Sequence, residues 1–515
     1  MKLHRDSRRL ILNLRDPKRL LDLTPTAEQF THDGHPFVLL PHRTTETKIL
    51  QNLGFNPPHP VDEWYDWPGQ FEPMQSQRET VKFLTLHNRA YCLNGLGTGK
   101  SISAAWAFDY LRTEGLAKKL LVIAPLSTLE RTWADEFFRH LPHLEVSVVY
   151  GANRAARMRH LEREADVYVT NHDGVKVLQE ELAARKDLDT VVIDELSQCA
   201  RNAKTDMWRA LKAVIQGRQR VWGLTGTPTP NGPTDAWAQC RLLTPETVPA
   251  FFAHWRAKTM KELYRYKWVP KEDALDTVYA AMQPAIRYKR EDCVDLPPVM
   301  YETRTVDLTR DQARLYRDME KVLYAQFQGG EIAAVNAAVQ AMRLVQIASG
   351  AAYDPHKKPV LILPKPRIDA TLEIIEQAQS KVIVFVPFKV SLKMVAEEIG
   401  KHYSTEMIYG EVSKTERDRI FGAFQKMTDP KVLVAQPAAM SHGLTLTAAS
   451  VIVWFAPVSS AETYEQANGR ITRPGQKFNQ LIAHIEGSKV ERKMYQALKD
   501  KTSMQDSLLD LFQGK

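Results

Sequence analysis

The chain of 515 residues is long enough for two or three domains of about 150 residues each. Its 69 Lys and Arg residues against 61 Asp and Glu residues give a net charge of +8, which favours a polyanionic partner. No apolar run approaches the ~18 residues of a membrane span, and the first residues are too charged for a secretory signal peptide. The four cysteines stand far apart, which argues against a zinc site and a disulfide framework. We therefore expect a cytoplasmic protein with no membrane contact.

Residues 1–70 are predicted to form a small accessory unit. Basic residues outnumber acidic ones in its first stretch, a strand is predicted at Phe37-Val38-Leu39-Leu40, and Tyr65 and Trp67 follow a proline-rich connector. A basic unit that carries aromatic residues suits contact with a phosphate backbone and stacked bases. A solvated charged face with the aromatic side chains packed inside is the alternative, and both interpretations stay open.

Residues 71–243 alternate helical stretches with short runs rich in Val and Ile. Such runs between helices predict a parallel sheet that is buried on both faces, with functional residues at the carboxyl ends of its strands. The predicted strands are 90–93, 120–124, 167–170, 190–193 and 221–224.

A glycine-rich turn connects the first of these strands to a helix predicted over residues 101–111. This order of strand, turn and helix is the context of a phosphate-binding loop, in which backbone N–H groups surround phosphate oxygens. Lys100 would reach the β- and γ-phosphates, and the Ser101 hydroxyl would bind Mg²⁺. The usual pattern has glycine where this chain has Asn94, and a turn without chemical function is the alternative. The predicted loop consists of Asn94, Gly95, Leu96, Gly97, Thr98, Gly99, Lys100 and Ser101.

Two polar segments follow the later strands of this region. Asp194 and Glu195 directly end a buried strand, where one carboxylate can hold Mg²⁺ and the next can orient the attacking water. An Asp-Glu pair in a solvated turn is the alternative. Thr225-Gly226-Thr227-Pro228 closes the next strand, and its hydroxyls can connect the carboxylates to nucleic acid or to a partner domain. A proline-capped turn rich in hydroxyls is compatible with the same residues.

The rest of the chain predicts a second α/β domain after a helical segment. Residues 244–358 indicate a helical insertion or linker without comparable buried strands, with helices at 311–327 and 332–347. Residues 359–500 resume the alternation, with strands at 381–386, 407–409, 431–435 and 451–455, and residues 501–515 form a tail. The fold class is therefore α/β, with two parallel-sheet domains.

Arg470 and Arg473 stand out in the second domain. They are three positions apart, which would place them on one face of a helix, and no acidic residue separates them. Two guanidinium groups suit a multidentate phosphate partner, so they are candidate arginine fingers for the γ-phosphate. Two solvated surface arginines are the alternative.

At this point the motifs resemble the superfamily 2 helicase-like ATPases, and within them the SNF2 family of double-stranded DNA translocases. The segment 76–84 resembles the adenine-reading motif, with Gln77 at the glutamine position. Leu196-Ser197 replaces the usual Ala-His after the acidic pair, and Gly469 and Thr472 replace the usual Asp and His. The stretch from Arg287 to Pro298 resembles the signature of the SNF2 helical insertion. Other matching segments are 97–101, 123–127 with Trp133, 170–172, 194–195, 224–231, 344–347, 381–388, 441–449 and 466–476.

The resemblance implies two RecA-like domains, ATP and Mg²⁺ as cofactors, and Gln466 beside the nucleotide. It also implies candidate nucleic-acid contacts in both domains. These contacts are Pro125, Ser127, Thr170, Asn171, His172, Lys389, Ser441, His442, Gly443 and Thr445. The compact size resembles phage and bacterial members, which implies the cytoplasm of a bacterium or of a phage-infected host.

We therefore expect a DNA-dependent ATPase that translocates on, or remodels, double-stranded or branched DNA in replication, recombination or repair. We expect a monomer that works with replication or recombination proteins. An RNA helicase of superfamily 2 and a DNA-binding scaffold that has lost turnover are the alternatives.

Overall fold

The computed structural model describes residues 1–14, 16–264, 267–293, 297–328, 342–353, 358–440, 445–473 and 475–498. The chain divides into a first compact unit over Met1–Lys289 and a second that begins at Arg290. Each unit is described by itself below.

A small antiparallel sheet begins the first unit. Its strands are β1 (Lys2–His4), β2 (Arg9–Asn13), β3 (Glu28–His32) and β4 (His35–Pro41), in the order β1-β2-β4-β3. Helices α1 (Lys18–Leu23) and α2 (Thr44–Asn52) bury one face of it. The buried residues of this cluster are Leu10, Leu12, Leu20, Val38, Leu40 and Leu50. The predicted strand at 37–40 therefore lies within β4.

The first unit is built around a seven-stranded sheet whose strands all run parallel. The strands are β5 (Arg89–Cys92), β6 (Leu120–Ala124), β7 (Val146–Val148), β8 (Val167–Asn171), β9 (Thr190–Asp194), β10 (Arg220–Leu224) and β13 (Ala285–Ile286), in the order β13-β5-β10-β9-β6-β8-β7. A separate antiparallel hairpin pairs β11 (Met260–Tyr264) with β12 (Lys267–Pro270). The helices are α3 (Pro60–Trp64), α4 (Gln75–Leu86), α5 (Lys100–Thr113), α6 (Asp135–His140), α7 (Arg154–Glu162), α8 (His172–Val177), α9 (Gln179–Ala184), α10 (Leu196–Cys199), α11 (Asp206–Ile215), α12 (Ala236–Leu243), α13 (Phe252–Thr259) and α14 (Ala274–Ala281).

The second unit contains a six-stranded parallel sheet. Its strands are β14 (Val299–Thr305), β17 (Lys381–Phe385), β18 (Thr405–Ile408), β19 (Val432–Ala435), β20 (Ala449–Trp454) and β21 (Gln480–Glu486), in the order β14-β21-β20-β17-β19-β18. A short hairpin pairs β15 (Ala351–Tyr353) with β16 (Pro359–Leu361). The helices are α15 (Arg290–Cys293), α16 (Arg310–Gln328), α17 (Lys365–Gln377), α18 (Lys389–Gly400), α19 (Lys414–Lys426) and α20 (Ala461–Asn468), and residues 342–348 and 489–498 are also helical.

The predicted class of two parallel-sheet α/β domains is confirmed. Every strand predicted in the two α/β regions is present, to within two residues at either end. These strands were predictable because they are buried on both faces, so apolar residues occupy consecutive positions.

The segment predicted as a helical insertion or linker also contains strands, none of the described ones buried on both faces like the strands of the two α/β regions. Two strands from the predicted insertion join the main sheets: β13 is an edge strand of the first sheet, and β14 is an edge strand of the second. The first contains only two residues, and the second consists of exposed and half-buried residues in no regular order, so neither has a continuous apolar run. Of the two helices predicted there, 311–327 lies within α16, and only 342–347 of the other falls in the described residues.

Tyr65 and Trp67 pack inside the first unit, as in the alternative interpretation of the accessory segment. The Tyr65 hydroxyl donates to Asp109 Oδ2 at 2.7 Å, and the Trp67 ring lies 5.8 Å from the Trp106 ring in a T-shaped arrangement. Trp106 in turn donates its indole N–H to the carbonyl oxygen of Pro68 at 2.9 Å. Both aromatic side chains thus fasten residues 65–68 to helix α5, and backbone contact by the basic residues of 1–70 stays a prediction.

We predict that Trp67→Ala lowers the free energy of unfolding by about 3 kcal/mol, the low end for loss of a large aromatic side chain, because Trp67 is only partly buried. Phe138→Ala removes an aromatic side chain that is 79% exposed and should change stability by at most about 0.5 kcal/mol. Urea denaturation of both variants measures the difference. Equal midpoints would show that Trp67 does not hold the segment in place.

Candidate nucleotide site

The predicted phosphate-binding loop connects β5 to α5, which begins at Lys100. Gly97 and Gly99 adopt left-handed backbone conformations, with φ of 80° and 79°, which favour glycine. A Cβ atom on Gly99 would stand only 2.1 Å from Nε2 of Gln77. Glycine is therefore required at position 99 both by the backbone conformation and by the close approach of a side chain.

The Lys100 ammonium folds back over the loop. Its Nζ donates to the carbonyl oxygens of Asn94 at 3.0 Å and Gly95 at 3.1 Å, and the Thr98 hydroxyl also donates to the Gly95 carbonyl, at 2.9 Å. The side chain is thus positioned at the loop, and phosphate oxygens would replace neutral carbonyls with charged acceptors, which bind an ammonium more strongly.

Asn94 departs from the usual glycine, and its contacts explain how the loop accommodates it. Its backbone does not adopt a positive φ, so glycine is not needed there. The amide Nδ2 donates to the Thr80 hydroxyl at 2.8 Å, and Oδ1 accepts from the backbone N–H of Tyr288 at 2.9 Å. The Gly95 N–H donates to the Tyr288 carbonyl at 2.9 Å. Asn94 therefore ties the loop to α4 and to the segment after β13.

Gln77 lies on α4 against the same loop, as expected of an adenine-reading residue beside the phosphate site. Its Oε1 accepts from the Met74 backbone N–H at 2.9 Å, and its Nε2 donates to the Thr98 carbonyl at 3.3 Å. The glutamine is buried and held at both ends of its amide. The structure thus brings Gln77 to the loop, while its contact with adenine stays a prediction.

Asp194 is the last residue of β9, and its carboxylate accepts hydrogen bonds at both oxygens. The indole N–H of Trp133 donates to Oδ2 and the backbone N–H of Glu195 donates to Oδ1, each at 3.0 Å. The His172 ring bonds the Asp194 carbonyl oxygen, also at 3.0 Å. Burial raises the pKa of Asp194 above its ordinary value, although the Trp133 hydrogen bond and the Lys100 charge oppose that shift.

Glu195 has a left-handed backbone, with φ of 49° and ψ of 48°. Such a conformation is unfavourable for a residue other than glycine and occurs often at functional sites. The chain turns directly after Asp194, so the two adjacent acidic residues have different backbone conformations. This arrangement fits two acidic residues with different functions.

The donor set at this edge of the sheet fits Mg²⁺. In nucleotide sites this ion is bound by one or two carboxylates together with substrate phosphates, so no protein cage is needed. The described residues accordingly contain no group of three or more His, Cys, Asp and Glu side chains that could hold a metal alone. Asp194 and Ser101 would supply the carboxylate and hydroxyl that such a site uses.

The predicted coupling segment contacts both sides of the site. The hydroxyls of Ser197 and Thr225 lie 2.9 Å apart, and the Thr225 hydroxyl accepts from the Thr227 N–H at 3.2 Å. A Cβ atom on Gly226 would lie 3.6 Å from the Asn94 carbonyl oxygen, so this segment passes directly over the phosphate loop. Ser197, which stands at the position of the usual histidine, thus provides a hydroxyl contact between the acidic turn and Thr225.

The predicted nucleic-acid contacts of the first unit differ in exposure. Thr170 is buried and donates its hydroxyl to the Val149 carbonyl at 3.1 Å, and Asn171 accepts from Arg157 Nη1 at 2.8 Å. The structure therefore does not present the Thr170 and Asn171 side chains as surface contacts, because both lie at the buried end of β8. His172, the first residue of α8, is half-buried.

The turn after β6 contains both buried and exposed residues. Pro125 is buried, whereas Leu126 and Ser127 are exposed. Ser127 is thus a predicted contact of the first unit that an external partner could reach directly.

In the second unit, Lys389 is half-buried and forms an ion pair with Glu411, and Thr445 is exposed. Gln466 is buried, with its Nε2 3.4 Å from Oε1 of Glu462. The predicted contacts at positions 441–443 (Ser441, His442 and Gly443) lie outside the described residues.

Arg470 and Arg473 do not share a helix face, so that expectation was wrong. Helix α20 ends at Asn468, and both arginines lie in the turn that follows it. Arg470 is only 2% exposed, and its carbonyl oxygen accepts from the Leu446 N–H at 3.0 Å, while Arg473 Nε donates to the Gly469 carbonyl at 3.0 Å. The buried position of Arg470 also excludes the alternative of two solvated surface arginines.

The sequence interpretation assigned no function to Trp133 or Tyr288. Trp133 was visible only as part of a motif after β6, and Tyr288 only as part of a signature placed in the insertion. Each of these residues acts through a contact with a segment far away in the chain. Trp133 is separated from Asp194 by 61 positions, and Tyr288 from Asn94 by 194 positions. No local pattern carries that information.

Comparison with known families decides the relationship. The profile of the SNF2-related domain matches residues 47–350, and that of the helicase conserved C-terminal domain matches residues 366–475. The chain belongs to the SNF2 family. It is therefore a SNF2-family, helicase-like ATPase by descent.

Individual relatives differ greatly in length. Putative protein p41 of Acyrthosiphon pisum secondary endosymbiont phage 1 is 26% identical over 469 residues, which cover 86% of this chain and 99% of the phage protein. Human DNA annealing helicase and endonuclease ZRANB3 is 23% identical over 78% of this chain, but the match spans only 37% of that protein. The Sulfolobus solfataricus SWI2/SNF2 ATPase core in complex with double-stranded DNA aligns over 86% of this chain and 94% of its own, at 23% identity and a TM-score of 0.42.

Among the described helices of this SNF2-family chain, none combines the length and apolar character needed to cross a membrane.

We predict that Ser197→Ala lowers ATP turnover about fivefold and leaves ATP affinity unchanged, because one net hydrogen bond of about 1 kcal/mol is lost between the acidic turn and Thr225. Ser147→Ala is the matched control, since it removes another buried hydroxyl, one that donates to His160. Thr225→Val removes the same contact and also the acceptor of the Thr227 N–H, so the loss in the double variant should be smaller than the sum of the two single losses. Additive losses in steady-state turnover would contradict the contact's function.

Proposed function

We propose that this protein is an ATP-dependent motor that couples ATP hydrolysis to movement on, or remodelling of, double-stranded or branched DNA in replication, recombination or repair. The observation that carries the proposal is the assembly of Lys100, Gln77, Asp194 and Thr225 around one loop at the carboxyl edge of the first sheet. These residues come from four separated segments, and their convergence fits nucleotide hydrolysis better than a structural turn.

Each residue of the first unit has a proposed part in hydrolysis. The backbone of residues 95–101 surrounds the phosphates, Lys100 contacts the β- and γ-phosphates, and Gln77 recognises adenine. Ser101 and Asp194 would hold Mg²⁺, which neutralises charge that develops on the phosphates. Glu195 orients the attacking water, and its left-handed backbone, unlike the strand backbone of Asp194, supports a function separate from that of the metal ligand.

Arg470 and Arg473 are proposed as the arginines that stabilise the transferred γ-phosphate, with Gln466 beside the nucleotide. Their position in a turn rather than along a helix supports this assignment, because the turn is fixed by backbone hydrogen bonds at Arg470 and Gly469. Guanidinium groups match phosphate geometry through two parallel donors, which an ammonium group cannot reproduce.

DNA is the proposed polymer. The human relative is named as a DNA annealing helicase, and the net charge of +8 favours a polyanion. Ser127 in the first unit and Lys389 and Thr445 in the second are the proposed contacts among the described residues. Ser441, His442 and Gly443 belong to the same proposal.

An ATPase assay with no polymer, single-stranded DNA, duplex DNA, forked DNA or RNA tests this function. We expect duplex or forked DNA to give the highest rate, and Lys100→Ala to lower that rate at least about 10²-fold because a transition-state charge contact is lost. Stimulation by RNA alone would favour the RNA-helicase alternative. No hydrolysis with any polymer, despite DNA binding, would favour the scaffold.

We predict that Glu195→Gln binds ATP with normal affinity, hydrolyses it at least about 10²-fold more slowly, and retains DNA tightly, because the amide cannot activate water while Asp194 still holds the metal. Asp194→Asn should instead weaken Mg²⁺-dependent ATP binding. Quenched-flow chemistry and equilibrium binding of ATP separate the two effects. Normal hydrolysis by Glu195→Gln alongside loss in Asp194→Asn would show that the two functions are assigned wrongly.

We predict that Arg473→Ala lowers kcat by roughly 10³-fold while ATP binding survives, which is the range for an arginine finger. Arg473→Lys should not restore the rate, because it loses the two-pronged geometry. Arg419→Ala is the control, since that arginine pairs with Glu406 and Glu416 on an exposed surface. A near-normal kcat for Arg473→Lys would show that catalysis requires only a positive charge at this position.

A further inference from the structure

The segment after β6 connects an exposed turn to the buried nucleotide site. Leu126–Thr128 forms a 3₁₀ turn, Leu129–Ala134 forms a π-helical turn, and α6 follows. Leu126 is 49% exposed, whereas Trp133, seven positions later, is fully buried. One short helical segment therefore has one end open to a partner and the other beside Asp194.

The Trp133 indole holds the Asp194 carboxylate in a defined orientation. It donates to Oδ2 at 3.0 Å, and β6 and β9 are neighbouring strands, so the contact crosses directly from one strand exit to the next. The Glu195 N–H occupies a site on the other oxygen. A carboxylate has about four acceptor sites, so these two bonds fix its plane and leave sites for a cation or its water.

The π-helical turn makes this contact sensitive to the exposed end. A π turn holds one more residue than an α turn, and such turns are often found at functional sites. Conversion between the two shifts the residues on one side by one position, which corresponds to about 100° of rotation around the helix axis. The Thr128 hydroxyl and N–H both donate to the Pro125 carbonyl, at 2.9 and 3.0 Å, and these bonds tie the exposed turn to the start of the π turn.

We propose that Trp133 is a positioning residue that orients Asp194 for Mg²⁺ and makes that orientation depend on DNA bound at Leu126 and Ser127. The proposal rests on the proposed function and adds a route by which the polymer regulates the nucleotide site. DNA acts on the exposed turn, the π turn adjusts, and the indole N–H changes its bond to the carboxylate. Trp133 itself touches neither DNA nor nucleotide.

The first test removes the indole N–H and keeps an aromatic ring. Trp133→Phe should raise the Mg²⁺ concentration for half-maximal binding of a fluorescent ATP analogue by roughly 10- to 100-fold, the usual effect of losing a hydrogen bond to a metal ligand. Binding of the analogue without Mg²⁺ should not change. Trp208→Phe is the matched control, because its indole donates to the Ala238 carbonyl, away from the site. An unchanged Mg²⁺ requirement in folded Trp133→Phe would overturn the positioning function.

A second test follows Trp133 in the full-length wild-type chain and uses variants to assign its resonance and to alter the exposed turn. The chain has ten tryptophans, and incorporation of 5-fluorotryptophan gives each a ¹⁹F resonance. Trp133→Phe and Trp208→Phe identify two of them by the signal each removes. Duplex DNA without nucleotide should shift the Trp133 resonance and leave the Trp208 resonance in place. Leu126→Ala should reduce that shift at saturating DNA. A Trp133 resonance that DNA does not move would overturn the regulatory route.

The outcomes separate this inference from the proposed function. Absence of DNA-stimulated hydrolysis in the wild-type protein would contradict the proposed function itself. DNA-stimulated hydrolysis together with a normal Mg²⁺ requirement in Trp133→Phe and a static Trp133 resonance would contradict the inference alone.

Discussion

The hydrogen bonds from the Lys100 ammonium to the carbonyl oxygens of Asn94 and Gly95 are the contacts on which the candidate nucleotide site depends. They hold the only side-chain cation of the loop over the place where phosphate would bind. Helix α4 restrains the loop through two contacts, from Gln77 to the Thr98 carbonyl and from Asn94 to the Thr80 hydroxyl. The glycines at 97 and 99 allow the backbone to turn tightly enough for its N–H groups to converge. Binding of phosphate then exchanges acceptors on an existing arrangement and does not require the site to form.

The acidic side of the site is organised by donors around Asp194. Burial disfavours its charged form, and the Trp133 indole and the Glu195 N–H offset that penalty by donating to the carboxylate oxygens. Ser197 replaces the histidine usual in the family. Its hydroxyl contact with Thr225 connects the acidic turn to the segment that passes over the phosphate loop. A neutral hydroxyl does not titrate near pH 7, so this connection keeps one charge state across the physiological range.

The sequence predicted the parts of the molecule that local patterns determine. Strands such as Leu120–Ala124 are apolar at every position because both faces are covered, and the phosphate loop combines a glycine pattern with a strand before it and a helix after it. The edge strands could not be predicted, because Ala285–Ile286 is too short and Val299–Thr305 shows neither a continuous apolar run nor a regular alternation. The helix predicted to carry Arg470 and Arg473 ends at Asn468. The prediction failed because a spacing of three residues fits a helix and a turn equally well. The packing of Tyr65 against Asp109 and the bond from Arg157 to Asn171 depend on tertiary contacts that composition does not reveal.

The most direct measurement is a structure of the protein with Mg²⁺ and ADP-beryllium fluoride, a mimic of ATP. We predict that Lys100 Nζ leaves the Asn94 and Gly95 carbonyls and lies within about 3.2 Å of phosphate or fluoride atoms, the usual limit for such a hydrogen bond. Mg²⁺ should lie beside Ser101 and Asp194, with Gln77 against the adenine edge. A nucleotide bound elsewhere, with Lys100 still bonded to the two carbonyls, would contradict the assignment of this loop as the ATP site.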